Sequence, residues 1–176
     1  MEAELSSPHC DERSQYRLIW LTKHGGLTRE LLHTLKYHSL SCLASQIIDC
    51  APTERVEELL LSPDRFFIPV PVSRERLKER GFNQAEQIAL AWKGKISGQI
   101  SHALVRLKQK GTQVGKTAEE RQRQAGQSFQ WVGGVDMRGS PVLVDDVFTT
   151  GSTAESCLAC FPDWGIRPTV LVVAKA

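Results

Sequence analysis

The sequence predicts an α/β fold, a mostly parallel sheet flanked by helices, and three observations predict it. Three apolar runs of strand length, Phe66 to Val72 (FFIPVPV), Pro141 to Asp145 (PVLVD) and Thr169 to Ala174 (TVLVVA), are close to continuous in Val, Ile, Leu and Phe. Strands buried on both faces read that way, and strands with one wet face alternate instead. A helical pattern from Ser152 to about Phe161 separates the last two runs, and strand, helix, strand at that spacing is a βαβ unit. A chain of 176 residues with 41% hydrophobic content is one domain with a core to bury.

The elements follow in chain order. Leu27 to Tyr37 (LTRELLHTLKY) sets Leu27, Leu31, Leu32 and Leu35 on one helical face, with Thr28 as its cap. A short helix from Ser41 to Cys50 comes next. In the Phe66 to Val72 strand, Pro69 and Pro71 lack the N–H a ladder needs, so they end it and start a loop, SRERLKERGF. That loop carries Arg74, Arg76, Lys78 and Arg80 ahead of Gly81. Asn83 caps a helix to about Trp92, with Ala85, Ile88, Ala89 and Trp92 at helical spacing. The polar stretch Lys108 to Gln127 contains a helix from Thr117 to Ala125, and the βαβ unit closes the chain.

Composition limits the function classes. Net charge is +2 with 24% charged residues, which gives no global electrostatic case for nucleic-acid binding. No apolar run reaches the roughly 20 residues of a membrane span, and Met1 to Tyr16 is too polar for a signal peptide. The expected location is cytoplasmic. Five scattered cysteines, at 10, 42, 50, 157 and 160, make no disulfide framework. Cys157 and Cys160 form a C-x-x-C inside a helical pattern and read as two small core-facing side chains. No zinc site is expected. His24, His33, His38 and His102 are scattered and read as surface or helix-face histidines.

The stretch VLVDDVFTTGST (142 to 153) carries the chemistry. Asp145 and Asp146 end an apolar strand, where open parallel sheets bind their ligands. The turn Phe148 to Thr153 then enters a helix whose first N–H groups lack internal partners. Gly151 lets backbone N–H groups converge on one anion, and Thr149, Thr150, Ser152 and Thr153 add hydroxyl donors. A phosphate fits that cradle, and the carboxylates suit vicinal ribose hydroxyls or a bound Mg²⁺. A competing reading makes GTQVGKT (111 to 117) an ATPase phosphate loop. That motif requires glycine at position 110, which is Lys110, and no buried strand precedes it.

The stretch 142 to 153 resembles the phosphoribosyl pyrophosphate (PRPP) signature of type I phosphoribosyltransferases. Within that superfamily the chain resembles the ComF/GntX group through LTRELLHTLKY (Arg29, Leu32, Lys36, Tyr37), IPVPVSRERLKERGFNQAEQIA (68 to 89) and TAEERQRQAGQSF (117 to 129). The resemblance covers 25 to 176 and implies a type I phosphoribosyltransferase-like domain there, preceded by a divergent, flexible N-terminal segment, 1 to 24. It also implies a link to competence, the import and use of external DNA, with competence-machinery proteins as partners. Two departures stand out. The four-cysteine zinc module that usually begins the family is replaced by His9 and Cys10 alone. The family pattern survives in Gly111 to Gln124 only as Thr112, Gln113 and Lys116, with Gln124 in place of asparagine.

The resemblance further implies a reaction in which Mg-PRPP loses pyrophosphate through an oxocarbenium-like state while an acceptor attacks the anomeric carbon. Asp145 and Asp146 would hold the ribose hydroxyls and Mg²⁺, directly or through water, and favour the charge developing on the sugar. Val147 to Thr153 would hold the 5-phosphate. Arg74, Arg76, Arg80 and Gly81 would meet the pyrophosphate. Thr149 stands where purine-salvage members place an acid, which disfavours a 6-oxopurine acceptor. The second class that stays open is a non-catalytic module that binds PRPP or a nucleotide and acts in DNA uptake through proteins or single-stranded DNA. Lys36, Arg74, Arg76, Lys78 and Arg80 would be its basic face, without an aromatic stacking platform beside it.

Overall fold

A computed structural model describes residues 8–37, 42–107, 128–133, 139–163 and 165–176. The helix expected at Thr117 to Ala125, the segment Gly111 to Gln124 and His38 lie outside them. Six strands make the main sheet: β1 (His9–Glu12), β2 (Arg17–Lys23), β3 (Arg65–Pro69), β4 (Gln99–Ile100), β7 (Ser140–Phe148) and β8 (Thr169–Lys175). Their order is β1-β2-β8-β7-β3-β4, parallel throughout except for β1, which pairs antiparallel with β2. Two further strands, β5 (Leu104–Arg106) and β6 (Phe129–Trp131), form a separate antiparallel pair.

Successive side chains of each central strand enter opposite cores, so the strands have no polar face. Ile19, Leu21, Phe67, Val142, Val144, Leu171 and Val173 pack on one side, against α1 (Gly26–Tyr37), α2 (Cys42–Asp49), α3 (Thr53–Leu60) and α5 (Gln84–Lys93). Leu18, Phe66, Ile68, Leu143, Val170 and Val172 pack on the other, with Tyr16, Leu104, Phe129 and α6 (Ser152–Leu158). Trp92 of α5 fills the first core and Cys157 of α6 the second, both fully buried. Cys160 packs at the edge of that second core, with its thiol 3.3 Å from the Phe129 carbonyl, as the structural reading of C-x-x-C requires.

Several elements differ from the sequence reading. The segment 1 to 24, set apart by resemblance, contributes β1 and β2 to the sheet, and Leu18, Ile19 and Leu21 are fully buried. RLIWLTK pairs in parallel with β8 from Arg17↔Thr169 to Lys23↔Lys175. On α1, Thr28, Leu32 and Leu35 are buried while Leu27 is 45% exposed. Thr28 is therefore an inward residue rather than the cap, because positions 28, 32 and 35 share the helix face that the sheet covers.

The expected loop SRERLKERGF is mostly a helix, α4 (Arg74–Arg80). Ser73 caps it by accepting from the Arg76 N–H, Glu75 lies in the first turn, Lys78 and Arg80 lie in the last, and Gly81 closes it at φ 80°. These are helix start and stop signals, and they outweigh the charge of the run. β3 starts at Arg65 and ends at Pro69, as the prolines require.

Asn83 fixes the next junction. Its side chain accepts from the Ala85 N–H at 3.1 Å, capping α5, and donates to the Val70 carbonyl at 3.0 Å. One buried amide thus ties the start of α5 to the segment leaving β3. Asn83→Ala removes the cap and leaves the Val70 carbonyl unsatisfied, with an expected cost of about 2 kcal/mol, or roughly 4–8 °C of Tm in a chain of this size. A thermal melt checks it, and an unchanged Tm would contradict this role.

Candidate functional site

The strand order places a topological switch beside Asp145. From β3 the chain runs through α4 and α5 to β4 at one edge, whereas from β7 it runs through α6 to β8 on the other side. The segments leaving the carboxyl ends of β3 and β7 therefore diverge, and a crevice opens between them. Val70, Leu143, Asp145, Phe148, Thr149 and Gly151 are among its lining residues.

β7 outruns its neighbour. Its ladder with β3 stops at Pro69↔Val144, with a last bond from the Val70 N–H to the Val144 carbonyl, while its pairing with β8 continues to Phe148↔Lys175. The aspartates expected at the strand's end thus lie inside β7, and the strand runs on to Phe148. Paired on one side only, that last stretch leaves Asp145 beside the crevice.

The two carboxylates have different surroundings. Asp145 lines the crevice, and its Oδ1 accepts from the Asp146 N–H at 2.9 Å. Asp146 forms an ion pair through Oδ2 with Lys36 Nζ, near the end of α1. Lys36 is therefore committed to Asp146 and leaves the basic face to which the sequence reading assigned it. Burial, then the neighbouring Asp146 charge, hold the Asp145 carboxyl well above the usual range, and Lys36 opposes them.

The loop residues divide in the same way. Phe148 is a core side chain, and Val147 is half-buried against the first core. Thr149, Thr150, Ser152 and Thr153 are exposed. Thr150 Oγ1 donates to Ser152 Oγ at 3.1 Å and accepts from the Ser152 N–H at 3.4 Å, which shapes the turn into α6. Gly151 is buried at φ 90°, and a Cβ there would stand 2.8 Å from Phe148 Cζ. The backbone and the space both demand glycine.

The residues expected to meet a pyrophosphate lie on and just after α4. Arg74 and Arg76 are exposed, Arg80 is half-buried with Nη1 donating to Gln84 Oε1 at 3.1 Å, and Gly81 is the helix stop. Asn83 holds this unit to the exit of β3, so it is anchored at the crevice end of the sheet. Among the described residues no three His, Cys, Asp or Glu side chains group closely enough to hold a metal ion. No helix there is long and apolar enough to cross a membrane.

Sequence reasoning missed the turn between β1 and β2. Arg13 lies over the Phe148 ring, 5.2 Å from its centroid, and Tyr16 is 2% exposed with its hydroxyl 3.3 Å from the Cβ position on Gly151. A turn residue has no periodicity that would mark it.

Comparison with known proteins adds two relatives. The chain is 30% identical over 105 residues to the competence protein ComFC of Bacillus subtilis (strain 168), spanning 58% of this chain and 41% of that protein. It is 32% identical over 143 residues to the DNA utilization protein YhgH of Shigella flexneri, spanning 78% of this chain and 62% of that protein. The matches thus reach less than two thirds of either relative's length. No family model matches the chain. The two similarities agree with the ComF motifs in the sequence and support that family.

Two outcomes follow from this geometry. A carboxyl held above its ordinary value keeps in the fold a proton that the unfolded chain has released. Stability therefore falls as pH rises from the ordinary carboxylate range through the raised value. Asp145→Asn removes that cost, so its Tm should exceed the parent's at pH 7 and the gain should vanish near pH 4. Melts across pH check it, and a gain that does not vary with pH would contradict it. Gly151→Ala should cost about 1–2 kcal/mol for the left-handed backbone alone, and more for the Phe148 overlap, in a denaturant titration. Equal stability would mean the loop is not held as described.

Proposed function

We propose that this chain is a phosphoribosyltransferase-like protein that binds Mg-PRPP, or a ribose 5-phosphate, in the crevice between the ends of β3 and β7 and serves competence and the use of imported DNA. The observation that carries the reading is the Asp145–Asp146 pair at the switch point, followed at once by the hydroxyl-rich turn at Gly151. A half-buried acid held above its ordinary range destabilises a fold, and such costs recur where a ligand uses them. The names of the two relatives, competence and DNA utilization, support the process.

In this reading Thr149 to Thr153 and their backbone N–H groups hold the 5-phosphate. Asp145 faces the ribose, and Asp146 joins it when Lys36 yields. Arg74 and Arg76, exposed at the start of α4, meet the diphosphate together with the half-buried Arg80, which also donates to Gln84. Two carboxylates without a third ligand do not form a protein cage for a metal, but they suit Mg²⁺, which keeps its waters and binds through one or two carboxylates plus ligand phosphates. When bound, Mg²⁺ would neutralise the departing diphosphate. The carboxylates would favour positive charge on the sugar while an acceptor other than a 6-oxopurine attacks.

A second reading, a binding module without turnover, draws on α4 itself. Arg74, Arg76 and Lys78 are all exposed on it, a row that also suits the backbone of single-stranded DNA.

Calorimetry with Mg²⁺ present tests the site. Ribose 5-phosphate and PRPP should bind the parent, and Asp145→Asn/Asp146→Asn should abolish or weaken both; no binding, or binding unchanged in the double variant, overturns the proposal. The arginines separate the two readings. If Arg74 and Arg76 hold the diphosphate, replacing either should weaken pyrophosphate by roughly 10-fold or more and spare ribose 5-phosphate. If they track a nucleic acid, the replacements should lower single-stranded DNA affinity and its salt dependence and leave pyrophosphate unchanged.

A further inference from the structure

The turn that joins β1 to β2 is built against the loop at Gly151. Arg13 opens the turn, its N–H bonding the Tyr16 carbonyl at 3.0 Å. Its guanidinium lies 5.2 Å from the centroid of Phe148, the residue just before Thr149, and 5.9 Å from that of Tyr16. Its Nη2 reaches Asp11 Oδ2 at 3.2 Å, and its buried Nε makes no hydrogen bond of good geometry among the described residues. Tyr16 is 2% exposed, and its buried hydroxyl has the Arg13 side chain beside it as a hydrogen-bonding neighbour, while among the described residues its own O–H has no acceptor. That hydroxyl stands 3.3 Å from the point where a Cβ on Gly151 would be, and Glu155 Oε1 stands 3.4 Å from the same point.

A hydroxyl that accepts from a guanidinium still carries an O–H to donate, and a buried donor left unmade costs its desolvation. Charge sharpens the point. The loop has Asp145 and Asp146 behind it and Glu155 on its helix, while Lys36 is taken up by Asp146. An anion arriving there needs a cation that the loop itself does not contain. Arg13 is already stacked on the loop's first anchor, and among the described residues the half-exposed Asp11 is its one ion-pair partner.

We propose that Arg13 and Tyr16 complete the anion site of the loop 149–153: Arg13 contacts the phosphate of the ligand, and Tyr16 is a positioning residue whose hydroxyl holds the turn at Gly151 in its bound form. The inference rests on the ribose 5-phosphate reading and deepens it. It assigns part of the phosphate site to a segment outside the 142–153 motif, which that motif alone would not include. Arg13 moves from Asp11 to the ligand, and its planar fork, stacked on Phe148, presents two N–H groups to one phosphomonoester.

Calorimetric titration of ribose 5-phosphate, ribose and inorganic phosphate into the parent, Arg13→Gln, Arg13→Lys, Tyr16→Phe and Asp145→Asn/Asp146→Asn tests it, with thermal melts to establish that each variant is folded. Arg13→Gln should weaken ribose 5-phosphate and inorganic phosphate by roughly tenfold or more, and Arg13→Lys should recover part of that loss. Tyr16→Phe keeps the ring and its packing. It should weaken phosphate-bearing ligands several-fold without lowering Tm, and neither turn variant should alter the weak binding of ribose. If ribose 5-phosphate binds the parent and fails with the Asp variants, yet binds Arg13→Gln and Tyr16→Phe as it binds the parent, this inference is wrong and the ribose 5-phosphate reading stands. If the parent binds inorganic phosphate through Arg13 but shows no preference for ribose 5-phosphate, the anion contact stands and the sugar reading falls. Binding of neither ligand to the folded parent overturns both.

Discussion

The site depends on one electrostatic constraint: two adjacent carboxylates are held in the central strand of a sheet, where water cannot fully solvate them. Like charges this close repel, and burial adds to the cost. Two contacts limit it, the Asp146 N–H to Asp145 Oδ1 and the ion pair of Asp146 with Lys36. The ion pair requires α1 to end beside β7, which in turn requires Thr28, Leu32 and Leu35 to face the sheet rather than Leu27. The hydrogen bond requires β7 to continue beyond the point where β3 stops, so that Asp145 has a free side. The ending of β3 at Pro69 and the tether of Asn83 to Val70 are parts of the same arrangement.

The asymmetry between the acids also bears on how a ligand would bind. Asp146 is neutralised by a lysine from another element, and Asp145 is the acid that faces the crevice. In the proposed reading a sugar or a cation would meet Asp145 first, and recruiting Asp146 would mean displacing Lys36. Affinity for such a ligand would therefore contain the free energy of breaking an ion pair, which screens with salt only in proportion to its exposure.

Much of this was legible in the sequence, and the exceptions have physical reasons. Continuous apolar runs marked β7 and β8, and the cap at Asn83 marked α5, because burial on both faces and a free helix end constrain residue type strongly. The Asp pair stood out because adjacent acids are rare in a buried strand. The helix at 74–80 was hidden by its charge, although Ser73 and Gly81 bounded it. β4 and β5 span two and three residues, too few for any period to show. On α1, hydrophobicity selected Leu27, whereas geometry selected Thr28. Arg13 and Tyr16 belong to a turn, and their meeting with Phe148 and Gly151 is a product of sheet order that no local pattern encodes.

The central claim is that one crevice, bounded by Asp145 and the turn at Gly151, is where this protein meets a sugar phosphate. The most direct measurement is a backbone amide NMR titration of the labelled protein with ribose 5-phosphate in the presence of Mg²⁺. The account predicts saturable shifts confined to Asp145 through Ala154 and to the turn at Arg13 to Tyr16, with α4 responding only when the ligand carries a diphosphate. Shifts that begin on α4 with ribose 5-phosphate, or a spectrum that does not change at all, would contradict it.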